Sequence, residues 1–297
     1  MTDPISLLAA LPWRELFTFL SFAWGACIGS FLNVCVYRIP RELSVVTPRS
    51  FCPHCHKQIA WYHNIPLFSF IFLGAKCAYC GGKISPRYFL VELLTAVLFL
   101  LVWFKFDLAD GPRRFHLDPI VHWQLVPIYW LVIMGLILGT FVDFEYMIIP
   151  DRVTIGGIFA GLALSALVPA LHDETGILRG LMMSAMGAAI GWGILWSVAT
   201  LGTMVLKKEA MGFGDVKLMG AIGAFLGWRA VLFTIMISSF AGSVVGVTLV
   251  LMRKREMQGR IPYGPYLALA ALLWIFWGPI VWDAYLHLLT PKYPPLR

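Results

Sequence analysis

Charged side chains are scarce in this chain of 297 residues. Asp, Glu, Lys and Arg make up 13% of it and hydrophobic residues 59%, where a soluble domain carries about a quarter charged residues. Mean hydropathy is +0.78. This shortage of charge excludes an ordinary soluble enzyme and points to an integral membrane protein, for which length says little about domain count. Acidic residues are scarcer than basic ones, 16 against 23, which leaves a net charge of +7. The basic residues gather in particular loops between apolar runs, so no nucleic-acid partner is expected. The chain also lacks a Rossmann-type glycine loop and a convincing internal repeat, and no cleavable signal peptide is expected. Its first apolar run begins only after Trp13-Arg14-Glu15 and carries no small-residue cleavage site.

Apolar runs of about 20 residues, the length that crosses a bilayer, suggest an all-α polytopic protein of about eight transmembrane helices. They fall near 16–37, 88–106, 123–142, 153–171, 181–206, 216–234, 232–252 and 264–288. Lys and Arg set the orientation. The loop after the first run holds Arg38, Arg41, Arg49, Lys57, Lys76, Lys83 and Arg87. Arg152 follows the third, Lys207, Lys208 and Lys217 the fifth, and Arg253, Lys254, Arg255 and Arg260 the seventh. Fifteen of the 23 basic residues thus fall on odd-numbered loops, which are expected to be cytoplasmic, with both termini outside.

Four of the six cysteines form CPHC at Cys52–Cys55 and CAYC at Cys77–Cys80. Two C-x2-C knuckles at this spacing can place four thiolates around one zinc ion. A disulfide reading fits poorly on a cytoplasmic loop, where thiols stay reduced. With four sulfur ligands and no open position the metal is expected to be structural. His54, His56 and His63 read as solvated loop residues. Cys27 and Cys35 read as small packing residues of the first span, where Gly25 and Gly29 form a G-x-x-x-G contact face.

The candidates for chemistry are carboxylates. Asp143 closes the third span in GTFVDFEYMIIPD, and Asp215 opens the sixth in GFGDVKL. Both reach the expected cytoplasmic face, whereas Asp107, Asp110, Asp118, Asp173 and Asp283 fall on or near the other. Two carboxyls that meet can share one proton, because like charges a few ångströms apart resist ionising together. The ionised one can then activate a water while the protonated one donates to the carbonyl under attack. Gly212 and Gly214 would let an extended backbone approach closely. Lys217 reads as a side chain snorkelling to lipid phosphates, with substrate carboxylate binding as the other possibility. Asp151, after Pro150, reads as a helix N-cap, and Glu145 as an interfacial charge. Helix dipoles would favour Asp215 as the carboxylate, at a helix start, and Asp143 as the acid, at a helix end.

GSFLNV (29–34), YRIP, the double C-x2-C loop, VDFEYMIIPD, GFGDVKL and IPYGPYLA (261–268) occur in this order. Together they resemble the type IV prepilin peptidase family of G-x-G-D membrane aspartyl proteases. The resemblance runs from about Ala26 to Ala268. It implies an inner-membrane, multi-pass endopeptidase that removes the basic leader from type IV prepilins or type II secretion pseudopilins at the cytoplasmic face. It also implies N-methylation of the new N-terminus, with S-adenosylmethionine as donor at a site the resemblance does not locate. The family's catalytic pair falls on Asp143 and Asp215, with Gly212, Gly214 and Lys217 as loop support, and its metal ligands on Cys52, Cys55, Cys77 and Cys80. The domains would be a first transmembrane helix (1–37), a zinc-binding cytoplasmic loop (38–87) and a transmembrane protease core (88–297). The pattern departs at LGAKC, with Ala75 where a Gly is usual and Gly74 one residue earlier; this bears on methyl transfer. Two other classes remain open: a proton-coupled transporter using the two Asp residues as a relay, and a non-enzymatic assembly scaffold. Expected partners are membrane lipids and substrates with apolar N-terminal helices.

Overall fold

A computed structural model describes residues 13–106, 122–252 and 262–289. The basic cluster at 253–260, the acidic residues Asp107, Asp110 and Asp118, and Ile261 of one motif lie outside these. Every regular element among the described residues is helical apart from two isolated β-bridges. The long helices are α1 (Trp13–Arg38), α2 (Pro86–Phe106), α3 (Leu125–Tyr146), α4 (Asp151–Leu167), α5 (Ile177–Leu206), α6 (Phe213–Leu251) and α7 (Gly264–Leu289). Six of them, all but α4, are long and apolar enough to cross a membrane. The protein is therefore a multi-pass membrane protein. The chain divides within α3 into two compact units, Met1–Ile137 and Leu138–Arg297.

In the first unit α1 and α2 pack closely because α1 offers no side chain at Gly25 and Gly29. A Cβ at Gly29 would lie 2.6 Å from the Glu92 Cα, and one at Gly25 2.8 Å from the Ala96 Cα. Such small-residue faces let backbones approach where lipid provides no hydrophobic drive. Cys35 is buried in this unit, whereas Cys27 is exposed. The start of α3 adds an indole–backbone hydrogen bond, Trp130 Nε1 to the Phe99 carbonyl at 3.0 Å, with the two rings stacked 4.9 Å apart.

In the second unit the expected sixth and seventh spans are the two limbs of α6. Gly227 interrupts it with φ 78° and ψ 173°, outside helical geometry and in a region that favours glycine. A straight helix would carry Ser238 about 35 Å from Asp215, at 1.5 Å per residue. Instead Ser238 Oγ hydrogen-bonds Tyr263 Oη at 2.7 Å. The next residue, Gly264, donates its N–H to Asp143 Oδ2 at 3.0 Å, and Asp143 lies close enough to Asp215 for their charges to interact. The helix therefore folds back at Gly227, which sits beside His172 of the α4–α5 link. This moves the expected boundary near 232–234 to 227. Hydropathy could not find it because both limbs are apolar. The fourth expected span, 153–171, is the 17-residue α4 followed by a turn at Pro169–His172. With α6 counted as two limbs, eight helical segments result, although only six helices meet the length of a full crossing.

α5 packs closely on α6 in this unit. A Cβ on Gly223 would meet the Gly187 carbonyl oxygen at 2.1 Å and its carbon at 2.5 Å. Neither is a flexible side chain that could move aside. Beside it, Ser184 Oγ donates to the Ala224 carbonyl at 2.7 Å. Gly223→Val is expected to destabilise the protein by about 1–3 kcal/mol or more, the usual scale of overpacking. Thermal unfolding in detergent measures it, with the half-buried Gly193, where an added Cβ meets nothing, as the matched control.

Candidate functional site

The four cysteines of the 52–80 loop converge, their sulfurs all within 4.8 Å of one another. Each knuckle is a tight hairpin of the same design. In the first, Cys52 N–H bonds the Lys57 carbonyl and His56 N–H bonds the Cys52 carbonyl, at 3.0 and 2.9 Å. In the second, Cys77 N–H bonds the Gly82 carbonyl and Gly81 N–H bonds the Cys77 carbonyl, at 2.8 and 2.9 Å. Antiparallel bridges Phe51–Gln58 and Lys76–Lys83 close them. Residue five of each knuckle is left-handed, His56 at φ 57° and Gly81 at φ 69°. Ala75, at the departure from the family pattern, is also left-handed at φ 58°. Glycine adopts that conformation without the steric cost an alanine bears.

The donor set fits a metal. A tetrahedral ion with metal–sulfur bonds of about 2.3 Å holds its sulfurs about 3.8 Å apart, and Cys52 Sγ lies 3.9 Å from Cys80 Sγ. That distance is far beyond a disulfide of about 2.05 Å. Without a cation the thiols cannot ionise together. Backbone N–H donors, led by Tyr79, bring Cys77 down to about 6. At Cys80 the Gly82 amide pulls downward, but burial and the neighbouring thiols prevail and raise it to about 11. A divalent cation removes that conflict by holding all four as thiolates. The cluster can hold a metal ion, and among the described residues no histidine joins it.

The second unit brings the two candidate aspartates together. Asp143 lies in the last turn of α3, and its carbonyl accepts the Met147 N–H at 3.0 Å. Met147 is left-handed, φ 55°, which ends the helix ahead of Pro150. Asp215 lies in the first turn of α6, its N–H bonded to the Gly212 carbonyl at 3.1 Å. Both carboxyls are buried, at 6% and 7% exposure, so each is removed from bulk water that would otherwise separate their charges. Gly212 leaves room for one of them, since a Cβ there would sit 3.3 Å from Asp215 Oδ2. Gly214 is helical rather than extended, and its missing side chain makes space for Ile149, 3.3 Å away.

Two contributors were not anticipated from sequence. Gly264, the first residue of α7, donates its N–H to Asp143 Oδ2, and a Cβ there would lie 2.8 Å from that oxygen. The first N–H groups of a helix have no partner within it, so the turn at Tyr263-Gly264-Pro265 offers a free donor. The G-P pair within YGPY is the signal that could have shown it. Ile149, buried between α3 and α4, reaches the space left by Gly139, Gly214 and Gly264. Lys217 does not snorkel to lipid. It is ion-paired with Asp151 and lies over the Phe213 ring. Asp151 in turn is the first residue of α4 rather than its cap, which is Pro150.

Residues 23–106 match the Bacterial Peptidase A24 N-terminal domain, and residues 130–247 match the Type IV leader peptidase family. The chain is 34% identical to a prepilin leader peptidase/N-methyltransferase of Aeromonas hydrophila, over 95% of this chain and 97% of that one. Proteins of the same description are 32% identical in Pseudomonas aeruginosa, over 91% and 94%, and 38% identical in Myxococcus xanthus, over 80% and 64%. No solved structure matches it. The four-cysteine loop falls within the first of the two matched regions and both aspartates within the second, and with relatives at this identity over nearly the whole length, the chain belongs to the type IV leader peptidase family.

Proposed function

We propose that this protein removes the leader from type IV prepilins or related pseudopilins and then methylates the exposed N-terminus. The observation that carries the cleavage reading is the meeting of two buried carboxyls, Asp143 and Asp215, from helices far apart in sequence. One activates a water and the other protonates the oxygen of the scissile carbonyl. Helix ends alone had favoured Asp215 as the anion. The Gly264 N–H reverses that preference, because it supplies Asp143 with a donor at a second helix N-terminus. Asp143 is therefore assigned the water and Asp215 the shared proton. The Lys217–Asp151 ion pair ties the first turns of α6 and α4 to each other. The metal at Cys52, Cys55, Cys77 and Cys80 is assigned as structural zinc. The protein is placed in the bacterial inner membrane, with loop and carboxyls on the cytoplasmic side by the charge bias. The N-methyltransferase part rests on the description shared by the relatives.

The test is a purified, detergent-solubilised protein mixed with a membrane-anchored prepilin and S-adenosylmethionine, with products read by mass spectrometry. Loss of the leader and gain of one methyl group support the reading, and an intact substrate overturns it. The position of the carboxyls at helix ends also makes a claim about substrate presentation. A prepilin leader detached from its apolar segment is expected to be cut at least about tenfold more slowly, since binding energy from the remote helix no longer orients the scissile bond. Equal rates would show that membrane presentation plays no part.

A further inference from the structure

The first unit encloses a cavity of about 540 Å³ directly under the cysteine cluster, with Cys52 and Cys77 on its wall. Its volume is that of a small-molecule site, typically 300–1,000 Å³. The wall reaches down to Asn33 of α1 and Glu92 of α2. Asn33 is only 2% exposed. Its Nδ2 donates to the Tyr88 carbonyl at 3.0 Å, yet its Oδ1 is buried with no partner. A buried acceptor left unmade is costly, so a ligand that donates there gains what the free protein forgoes. Glu92 accepts the Leu67 N–H at 2.8 Å and puts a carboxyl in the same wall. Tyr37, Tyr79 and Tyr88 add aromatic surface. A buried acceptor, a carboxyl and stacking rings suit a ligand with a flat donor-bearing heterocycle and a cationic centre, and an aromatic wall suits a sulfonium in particular.

We propose that this cavity holds S-adenosylmethionine, with Asn33 Oδ1 accepting a hydrogen bond from it and Glu92 facing its positive charge. The proposal rests on the N-methyltransferase reading above. The bound donor supplies a methyl group. The methyl carbon's bond to sulfur breaks with its electron pair left on a neutral thioether, a bond to the substrate amine nitrogen forms, and the amine proton passes to solvent. Because Cys52 and Cys77 are part of the wall, the metal that orders the knuckles also shapes this cavity. That links the cysteine cluster to the methyl donor rather than to cleavage.

Equilibrium dialysis of the full-length protein in detergent against radiolabelled S-adenosylmethionine tests this, combined with ultraviolet cross-linking and peptide mapping. Saturable binding with label on peptides within 30–92 is expected. Asn33→Leu removes the acceptor, and Ala78→Trp fills the mouth from an exposed wall position. Each should weaken binding by about tenfold, the scale of one lost hydrogen bond or more. Metal content of each variant reports that the loop is still folded, and the rim variant guards against misfolding of the buried one. Wild-type affinity in both variants, or label confined to the second unit, would overturn the proposal while leaving N-methylation standing. A wild-type protein that cleaves leaders but neither binds the donor nor methylates the product would instead overturn the methyltransferase reading.

Discussion

Asp143→Asn and Asp215→Asn should each reduce leader cleavage by about 10²–10⁴-fold, the contribution of a positioned general acid or base, and they should not do so equally. Asn keeps the shape of Asp and can donate a hydrogen bond, but it cannot accept a proton from water. The Gly264 N–H bonds Asp143 and thereby supports it as the group that takes the proton. Asp143→Asn is therefore expected to leave less activity than Asp215→Asn. Single-turnover cleavage of a membrane-anchored prepilin in detergent measures both, free of product release. The double variant should fall little further than the worse single one, because the two groups act as a unit. Gly264→Ala is an independent probe of the same arrangement. Its Cβ would press on Asp143 Oδ2, and it should lower cleavage without removing either carboxyl. If Asp143→Asn were the more active variant, the roles would exchange. If either variant cleaved at the normal rate, the pair would not be catalytic.

The second large effect is expected from the metal. Elemental analysis should find about one zinc per chain. Structural zinc contributes about 10–16 kcal/mol in isolated zinc-finger peptides, and little else secures the 51–84 loop. Its regular structure is one five-residue helix, a 3-10 turn and two isolated bridges. Chelation, or Cys52→Ser with Cys80→Ser, should open this loop to limited proteolysis and abolish donor binding in the cavity beneath it. The second unit carries its own packed glycine interface between α5 and α6 and should remain protected. Full protease resistance with no bound metal would show that the knuckles are held by their hairpin hydrogen bonds alone.

Legibility in the sequence followed the range of the interaction. The convergence of the four cysteines was readable because each C-x2-C pair is local and only two pairs had to meet. Asp143 and Asp215 stood out because a carboxyl is conspicuous at the end of an apolar run. The Gly264 donor was not, because it is a backbone N–H that reaches Asp143 across 121 positions and no side chain announces it. The fold-back of α6 was half readable. Two spans were expected there, but the residue that separates them is one of 27 glycines, and only the backbone shows that Gly227 alone of α6 leaves helical geometry. The Lys217–Asp151 pair was missed because each residue had a sufficient local role, as snorkelling cation and as cap, and pairing joins elements 66 positions apart.

Ile149 has a bearing on how this region can change over time. One side chain, in the link between α3 and α4, fills the space that three glycines on three segments leave open. Substitutions at Gly214 and Gly264 are therefore not independent events. A methyl group gained at Gly214 or Gly264 presses on the same isoleucine, at 3.3 and 3.0 Å, whereas one at Gly139 would meet it at an ordinary contact distance of 3.5 Å; once that side chain has shifted or been trimmed, a second gain meets less resistance. Contacts that share a neighbour couple in this way, by about 0.5–3 kcal/mol. The shape around the two carboxyls is thus inherited as a block. A smaller residue at 149 would have to arise before, or together with, loss of the glycine at 214 or 264.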